Sequence, residues 1–125
     1  MVSNNLVIAD YQGIVVPFTE DGWFNATKVA DKFGKRPVDW LRLPDTERYI
    51  GALANFYKVR KSHFIKTRRG KNVGGTWFHP RIAVPFARWC DVNFSIWCDC
   101  QIDQLIRGQH PHYNWKRLRH EASSS

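Results

Sequence analysis

Gly74-Gly75-Thr76-Trp77-Phe78-His79-Pro80-Arg81-Ile82-Ala83-Val84-Pro85-Phe86-Ala87-Arg88-Trp89 is the stretch whose reading decides the fold. Its two glycines open a place where the backbone can bend sharply or pass close to a neighbour. Thr76-Trp77-Phe78 then has the composition of a short strand. Pro80 suits the first turn of a helix, with His79 as the residue that starts it. Ile82, Ala83, Phe86, Ala87 and Cys90 follow at helical spacing and predict one apolar stripe. A strand that feeds directly into a buried helix is a core-forming unit. Pro85 conflicts with this pattern: it predicts a lost hydrogen bond and a kink, or a later start to the helix.

Upstream, Leu6–Ala9 and Ile14–Phe18 are β-rich runs around a Gln12-Gly13 turn, and together they predict a hairpin. Thr19-Glu20-Asp21-Gly22 is a second turn, and Trp23-Phe24 predicts a short third strand. Asn25 stands at a helix N-cap position. Ala26, Val29, Ala30 and Phe33 follow at i, i+3, i+4 and i+7, and Gly34 closes the helix. A second helix is predicted from Pro37, with Val38, Trp40, Leu41 and Leu43 inward and Pro44 ending it. Two helices joined by Gly34-Lys35-Arg36 have helix-turn-helix spacing. A third helix, capped by Asp45, runs to about Tyr57 with Tyr49, Ile50, Leu53, Ala54 and Tyr57 inward.

Phe64-Ile65-Lys66-Thr67 can pair antiparallel with Thr76-Trp77-Phe78, which leaves Arg68-Arg69-Gly70-Lys71-Asn72 at the tip. A hairpin with a basic, glycine-containing tip is how a winged helix-turn-helix sets a wing against phosphates. The bland alternative is a solvated loop whose charges only hold it in water. Asp91 or Asn93 caps a last long helix through Arg107, with Phe94, Trp97, Cys98, Ile102 and Leu105 on one face.

Charge narrows the class of partner. The 125-residue chain has 19 Lys and Arg against 11 Asp and Glu, a net +8. No acid falls between Glu47 and Asp91, an interval that holds Arg48, Lys58, Arg60, Lys61, Lys66, Arg68, Arg69, Lys71, Arg81 and Arg88. Such asymmetry is an electrostatic footprint for a polyanion. Eight Phe, six Trp and four Tyr supply a core for one domain without disulfides. Three cysteines cannot form a closed disulfide set and point to a reducing, cytoplasmic compartment. No apolar run approaches the roughly 18 residues of a membrane span.

Phe24-Asn25-Ala26-Thr27-Lys28, Phe33-Gly34-Lys35-Arg36-Pro37 with Asp39-Trp40-Leu41-Arg42, Gly74–Pro80, and Ala87-Arg88-Trp89-Cys90-Asp91 closely resemble the KilA-N domain. That domain occurs in proteins of bacteriophages and large DNA viruses and is similar to the APSES DNA-binding domain of fungal transcription factors. The resemblance covers residues 4–108 with every block in order. It implies an α+β, winged helix-turn-helix-like fold that binds DNA, with no cofactor and no catalytic residues. Two features depart from it: Pro85 interrupts a helix the family keeps regular, and the wing charges are not a fixed motif. Base-contacting positions therefore do not carry over.

Residues 109–125 turn polar and basic, and they read as a tail, a linker, or the approach to a further C-terminal module. Zinc is set aside, because Cys98 and Cys100 would diverge on a helix and Cys98 sits on the apolar face. A Cys98–His79–Asp91 triad is a combination any chain of this size offers. The basic region has no acidic cluster to hold nuclease metals. The expectation is a non-catalytic double-stranded DNA-binding domain of a phage or prophage regulator. The competing expectation is an antirepressor-like module that binds an acidic protein. RNA or single-strand binding is disfavoured because the aromatics follow core periodicity. Candidate DNA contacts are Asn25 and Thr27 at a helix start, Lys35, Arg36 and Arg42 at the recognition helix, and Lys66, Arg68, Arg69, Lys71 and Asn72 at the wing.

Overall fold

Two antiparallel hairpins meet in one sheet. The computed structural model describes residues 6–71 and 73–108. β1 (Leu6–Tyr11) and β2 (Ile14–Thr19) pair in the register Leu6–Thr19 to Tyr11–Ile14. Positive φ at Gln12 (52°) and Gly13 (89°) gives the two-residue turn whose twist suits a hairpin. β3 (Phe24–Asn25), β4 (Ile65–Arg68) and β5 (Gly75–Phe78) complete a sheet of order β1-β2-β3-β5-β4. β3 forms one residue later than the sequence predicts, because Trp23 closes the preceding turn: its carbonyl accepts from the Thr19 amide at 2.8 Å, and its own amide donates to the Thr19 hydroxyl at 3.0 Å.

α1 (Ala26–Lys32) buries Ala26, Val29 and Ala30. It ends as a Schellman motif, in which the Lys35 amide reaches the Ala30 carbonyl at 2.9 Å and the Gly34 amide reaches Asp31 at 3.2 Å. Gly34 has φ 68°, which is why a glycine stands there. α2 is only Pro37–Leu41, shorter than predicted. Trp40 is buried and Leu41 packs on the core, but Val38 and Leu43 are exposed rather than inward. Pro44 does not end α2. It opens α3 (Pro44–Tyr57), whose N-cap is Leu43, so Asp45 lies inside the first turn and pairs with Arg48 instead of capping. Ile50 and Ala54 face the core as predicted, whereas Tyr49 and Tyr57 are exposed.

A 3₁₀ turn over Lys61–Phe64 leads into β4. α4 (Pro80–Cys90) starts at Pro80 and runs through Pro85, so its start is not delayed. Proline has no N–H to offer the carbonyl four residues back, which belongs to Arg81. The Tyr49 hydroxyl of α3 donates to that carbonyl at 3.3 Å, which is the use the outward Tyr49 finds. α5 (Val92–Gly108) is capped by the Asp91 carboxylate, which accepts from the Phe94 amide at 2.8 Å.

The main core joins Val16, Phe18, Phe24, Trp40, Phe64, Phe78, Ile82, Phe86, Phe94, Cys98 and Ile102. Phe78 and Phe86 meet edge-on at 4.9 Å, and Trp40 packs on both. Strand alternation sends Trp77 the opposite way from Phe78, into a second cluster with Trp23, Leu6 and Val73.

Candidate nucleic-acid interface

The β4–β5 hairpin projects the largest group of candidate cations. Its register runs from Ile65–Phe78 through Lys66–Trp77 and Thr67–Thr76 to Arg68–Gly75. Beyond it the chain closes through the Gly74 amide, which donates to the Gly70 carbonyl at 3.0 Å. Gly70 and Gly75 have φ 127° and 126°, conformations that L side chains avoid. Trp77 is fully buried and its indole N–H donates to the Val73 carbonyl at 2.7 Å, so the tip is tied to its own strand. Lys66, Arg69 and Lys71 are exposed and Arg68 is half-buried. The Lys66 ammonium stands 5.7 Å from the Trp23 ring centroid, a cation–π contact that holds its stem along the hairpin. Asn72 lies outside the described residues.

The start of α1 is stitched to the end of this hairpin. Asn25 caps α1, accepting from the Lys28 amide at 3.1 Å, and its side-chain NH₂ donates to the Gly74 carbonyl at 2.9 Å. With 0% of its surface exposed, the Asn25 side chain has no face left for DNA, which corrects its place among the contacts. The Thr27 hydroxyl accepts from the Thr76 amide at 2.9 Å, while the residue itself stays exposed. A Cβ on Gly75 would sit 2.9 Å from Asn25 Oδ1 and 3.0 Å from the Thr27 Cβ. Glycine at 75 thus lets the strand approach the helix start.

The turn between α1 and α2 divides the remaining candidates. Lys35 folds inward: its ammonium donates to the Trp89 carbonyl at 2.9 Å and lies 4.5 Å from the Trp89 ring centroid. There it satisfies a carbonyl of the last turn of α4, where a cation is favourable. Arg36 is exposed and forked onto Asp39, with Nε to Oδ2 at 3.2 Å and Nη2 to Oδ1 at 3.1 Å. Arg42 is exposed and follows α2 directly. Opposite charges three residues apart on a helical start are a legible signal for the Arg36–Asp39 pair; the inward turn of Lys35 has no local signal at all.

At the root of the hairpin His79 caps α4, its Nδ1 accepting from the Arg81 amide at 2.9 Å. An accepting Nδ1 requires the neutral ring. Burial first, then the charges of His63 and Arg81, lower its pKa to about 4, against a smaller opposing pull from Asp21. Burial also raises the Cys90 thiol to about 12 and moves Cys98 upward, so both stay protonated. Among the described residues no three His, Cys, Asp or Glu gather as a metal site. No helix among them is long and apolar enough to cross a membrane.

With this geometry in place, comparison with known proteins converges on one family. The family model described as the KilA-N domain matches residues 8–108. The chain is 24% identical over 85 residues to a KilA-N domain-containing protein of Acanthamoeba polyphaga mimivirus. That alignment covers 66% of this chain and 19% of the relative, so the chain spans about a fifth of that protein's length. No solved structure matches the chain.

Proposed function

The chain belongs to the KilA-N domain family, and from that premise we propose that it binds double-stranded DNA without cutting it. One observation carries the reading. The acid-free interval from Arg48 to Cys90 includes a hairpin whose exposed Lys66, Arg69 and Lys71, with half-buried Arg68, present cations and no carboxylate. Such a surface exchanges condensed counterions for Lys and Arg contacts, which favours binding to any duplex. In this reading the hairpin is the wing and lies along phosphate, and the exposed face of α2 meets base edges. The helix-turn-helix role of α1 and α2 and a regulatory role in a phage, prophage or large DNA virus, acting in the host cytoplasm, belong to the same proposal.

Duplex binding measured over a salt series, with competitor RNA and with magnesium or manganese supplied, tests it. Affinity that falls steeply with salt, resists RNA competitor and is accompanied by no cleavage supports the reading. Salt-independent binding, equal competition by RNA, or cleavage refutes it. A second reading has an observation of its own. An open groove of about 680 Å³ between the first hairpin and α1 is lined by Leu6, Ile8, Val15 and Pro17, with Lys28, Asp31 and Lys32 on its α1 side. Exposed apolar surface of this kind suits a protein partner. Under that reading mutation of the groove, and not of the wing, abolishes function.

A further inference from the structure

We propose that Asp39 is a positioning residue that holds the Arg36 guanidinium ready to read a guanine, an inference that rests on the DNA-binding reading above. A guanidinium has five N–H groups in one plane and offers carboxylates or bases two different double-donor edges. Asp39 takes one of them with both of its oxygens: Nε at 3.2 Å and Nη2 at 3.1 Å. The end-on edge, Nη1–H with the second Nη2–H, is left for an acceptor pair spaced like guanine O6 and N7.

The pair stands at the surface, with the Arg36 side chain 70% exposed and Asp39 42% exposed. In that setting an ion pair does little for stability. Its effect is to settle the long arginine into one orientation before DNA arrives, so less rotamer freedom is lost on contact. The carboxylate also weakens the attraction of this arginine for phosphate, which every duplex offers equally. Specificity is a difference between affinities, and a group that penalises the indiscriminate contact raises it. The other outward positions on α2 and at its C-terminal end fit a division of labour. Arg42 has no carboxylate within pairing distance among the described residues and suits phosphate, while exposed Val38 offers apolar contact for a thymine methyl.

Selection of a random duplex library with the full chain, alongside affinities on one unrelated duplex, separates the roles. The parent is expected to enrich a site with an invariant guanine. Arg36→Ala should flatten that position by about tenfold, within the range of one good bidentate contact. Asp39→Ala and Asp39→Asn should flatten the same position while binding the unrelated duplex more tightly, with an unchanged melting temperature. Arg42→Ala should weaken all sequences alike. Opposite signs for affinity and discrimination are the signature of a brace. If both Asp39 variants bind more tightly yet keep the guanine preference, Asp39 merely repels phosphate and the proposal is overturned. Weaker binding everywhere with a lower melting temperature overturns it in favour of a structural role. A parent that binds duplex but enriches no motif removes α2 as the reader and overturns the proposal while the DNA-binding reading stands. A parent that binds no duplex overturns both.

Discussion

The two hairpins of the sheet are built by different means. β1–β2 has strands of six residues and a two-residue turn, and its inward side chains Val7, Ala9, Tyr11, Val16 and Phe18 all pack on the main core. Its other face leaves Ile8 59% and Val15 48% exposed. β4–β5 has strands of four residues and carries cations around a long tip. It is held through contacts distant in sequence: Asn25 to Gly74, Thr27 to Thr76, and Trp77 against Trp23. The first hairpin specifies itself by local alternation. The second is specified by what it docks on, which lets its tip keep a charge pattern that no core would tolerate. Anchoring and presentation are thus separated along one hairpin.

Truncating the anchors tests this separation with the largest effect. Trp77→Ala removes a fully buried indole and its bond to Val73, and should cost about 3–5 kcal/mol in denaturant unfolding. Ile8→Ala, on the exposed face of the first hairpin, should stay within about 0.5 kcal/mol. Similar losses for both would mean that the two hairpins are held alike.

Glycines sharpen the same contrast at smaller scale. Gly13 has φ 89°, and a Cβ added there would meet nothing within 4 Å, so Gly13→Ala carries only backbone strain of about 1 kcal/mol. Gly75 has φ 126°, and a Cβ there would lie 2.9 Å from Asn25 Oδ1 and 3.1 Å from Thr27 Oγ1. Gly75→Ala should therefore lose about 1–3 kcal/mol, and the loss should shrink when Asn25 is also replaced by Ala. Equal costs at the two glycines, or strict additivity at 75 and 25, would show that the stitch between β5 and α1 is not tight.

The contrast also explains what can be read from the chain. The β1–β2 hairpin, α1 with its Asn25 cap and Gly34 stop, and the Asp91-capped α5 follow from signals within a few residues of each other. Pairing of β3 with β5, which fuses both hairpins into one sheet, joins Asn25 to Trp77 and leaves no local trace. Helical spacing alone places Tyr49 and Tyr57 inward, but α3 turns them out, and Tyr49 serves the carbonyl that Pro85 orphans. Among candidate contacts, residue type identifies the cations but not their partners. Lys35 is drawn to the end of α4 and Asn25 to Gly74, both across more than forty residues of sequence. The role of Asn25 as a cap is legible; that the same side chain is buried against the β4–β5 hairpin is not.

Acid should enter through the root of the β4–β5 hairpin. His79 is lowered to about 4 in the fold against 6.5 as its ordinary value, so the unfolded chain binds the proton first. Stability from the neutral ring is complete above about pH 6.5 and is lost as pH falls from there toward 4. His79→Asn keeps a side chain able to cap α4 but removes the titration. Melting temperatures across this window should slope less for the variant than for the parent. Parallel slopes would assign the acid sensitivity elsewhere.

The smallest effect on stability is expected at the tip of the β4–β5 hairpin, where the proposed function expects a large effect on binding. Arg69 and Lys71 are exposed, and Arg68 ends β4 with its backbone paired to Gly75 whatever its side chain. Replacing all three by Ala takes away two exposed side chains, whose substitution changes stability by less than about 0.5 kcal/mol each, and the half-buried Arg68, which carries the larger share of any loss. If the tip lies along DNA, each lost phosphate contact flattens the plot of log affinity against log salt by about 0.9. Three contacts would remove nearly three units of slope, equally for every duplex sequence. Asp10→Ala in the first hairpin breaks the bond from the Gly13 amide to the Asp10 carboxylate and should do the reverse, costing a little stability with no loss of slope. Should the triple variant keep the parental slope, the tip stays in solvent and the hairpin is anchored for some other purpose. Should it unfold the chain, the tip belongs to the anchor, and the division between the two ends of this hairpin does not hold.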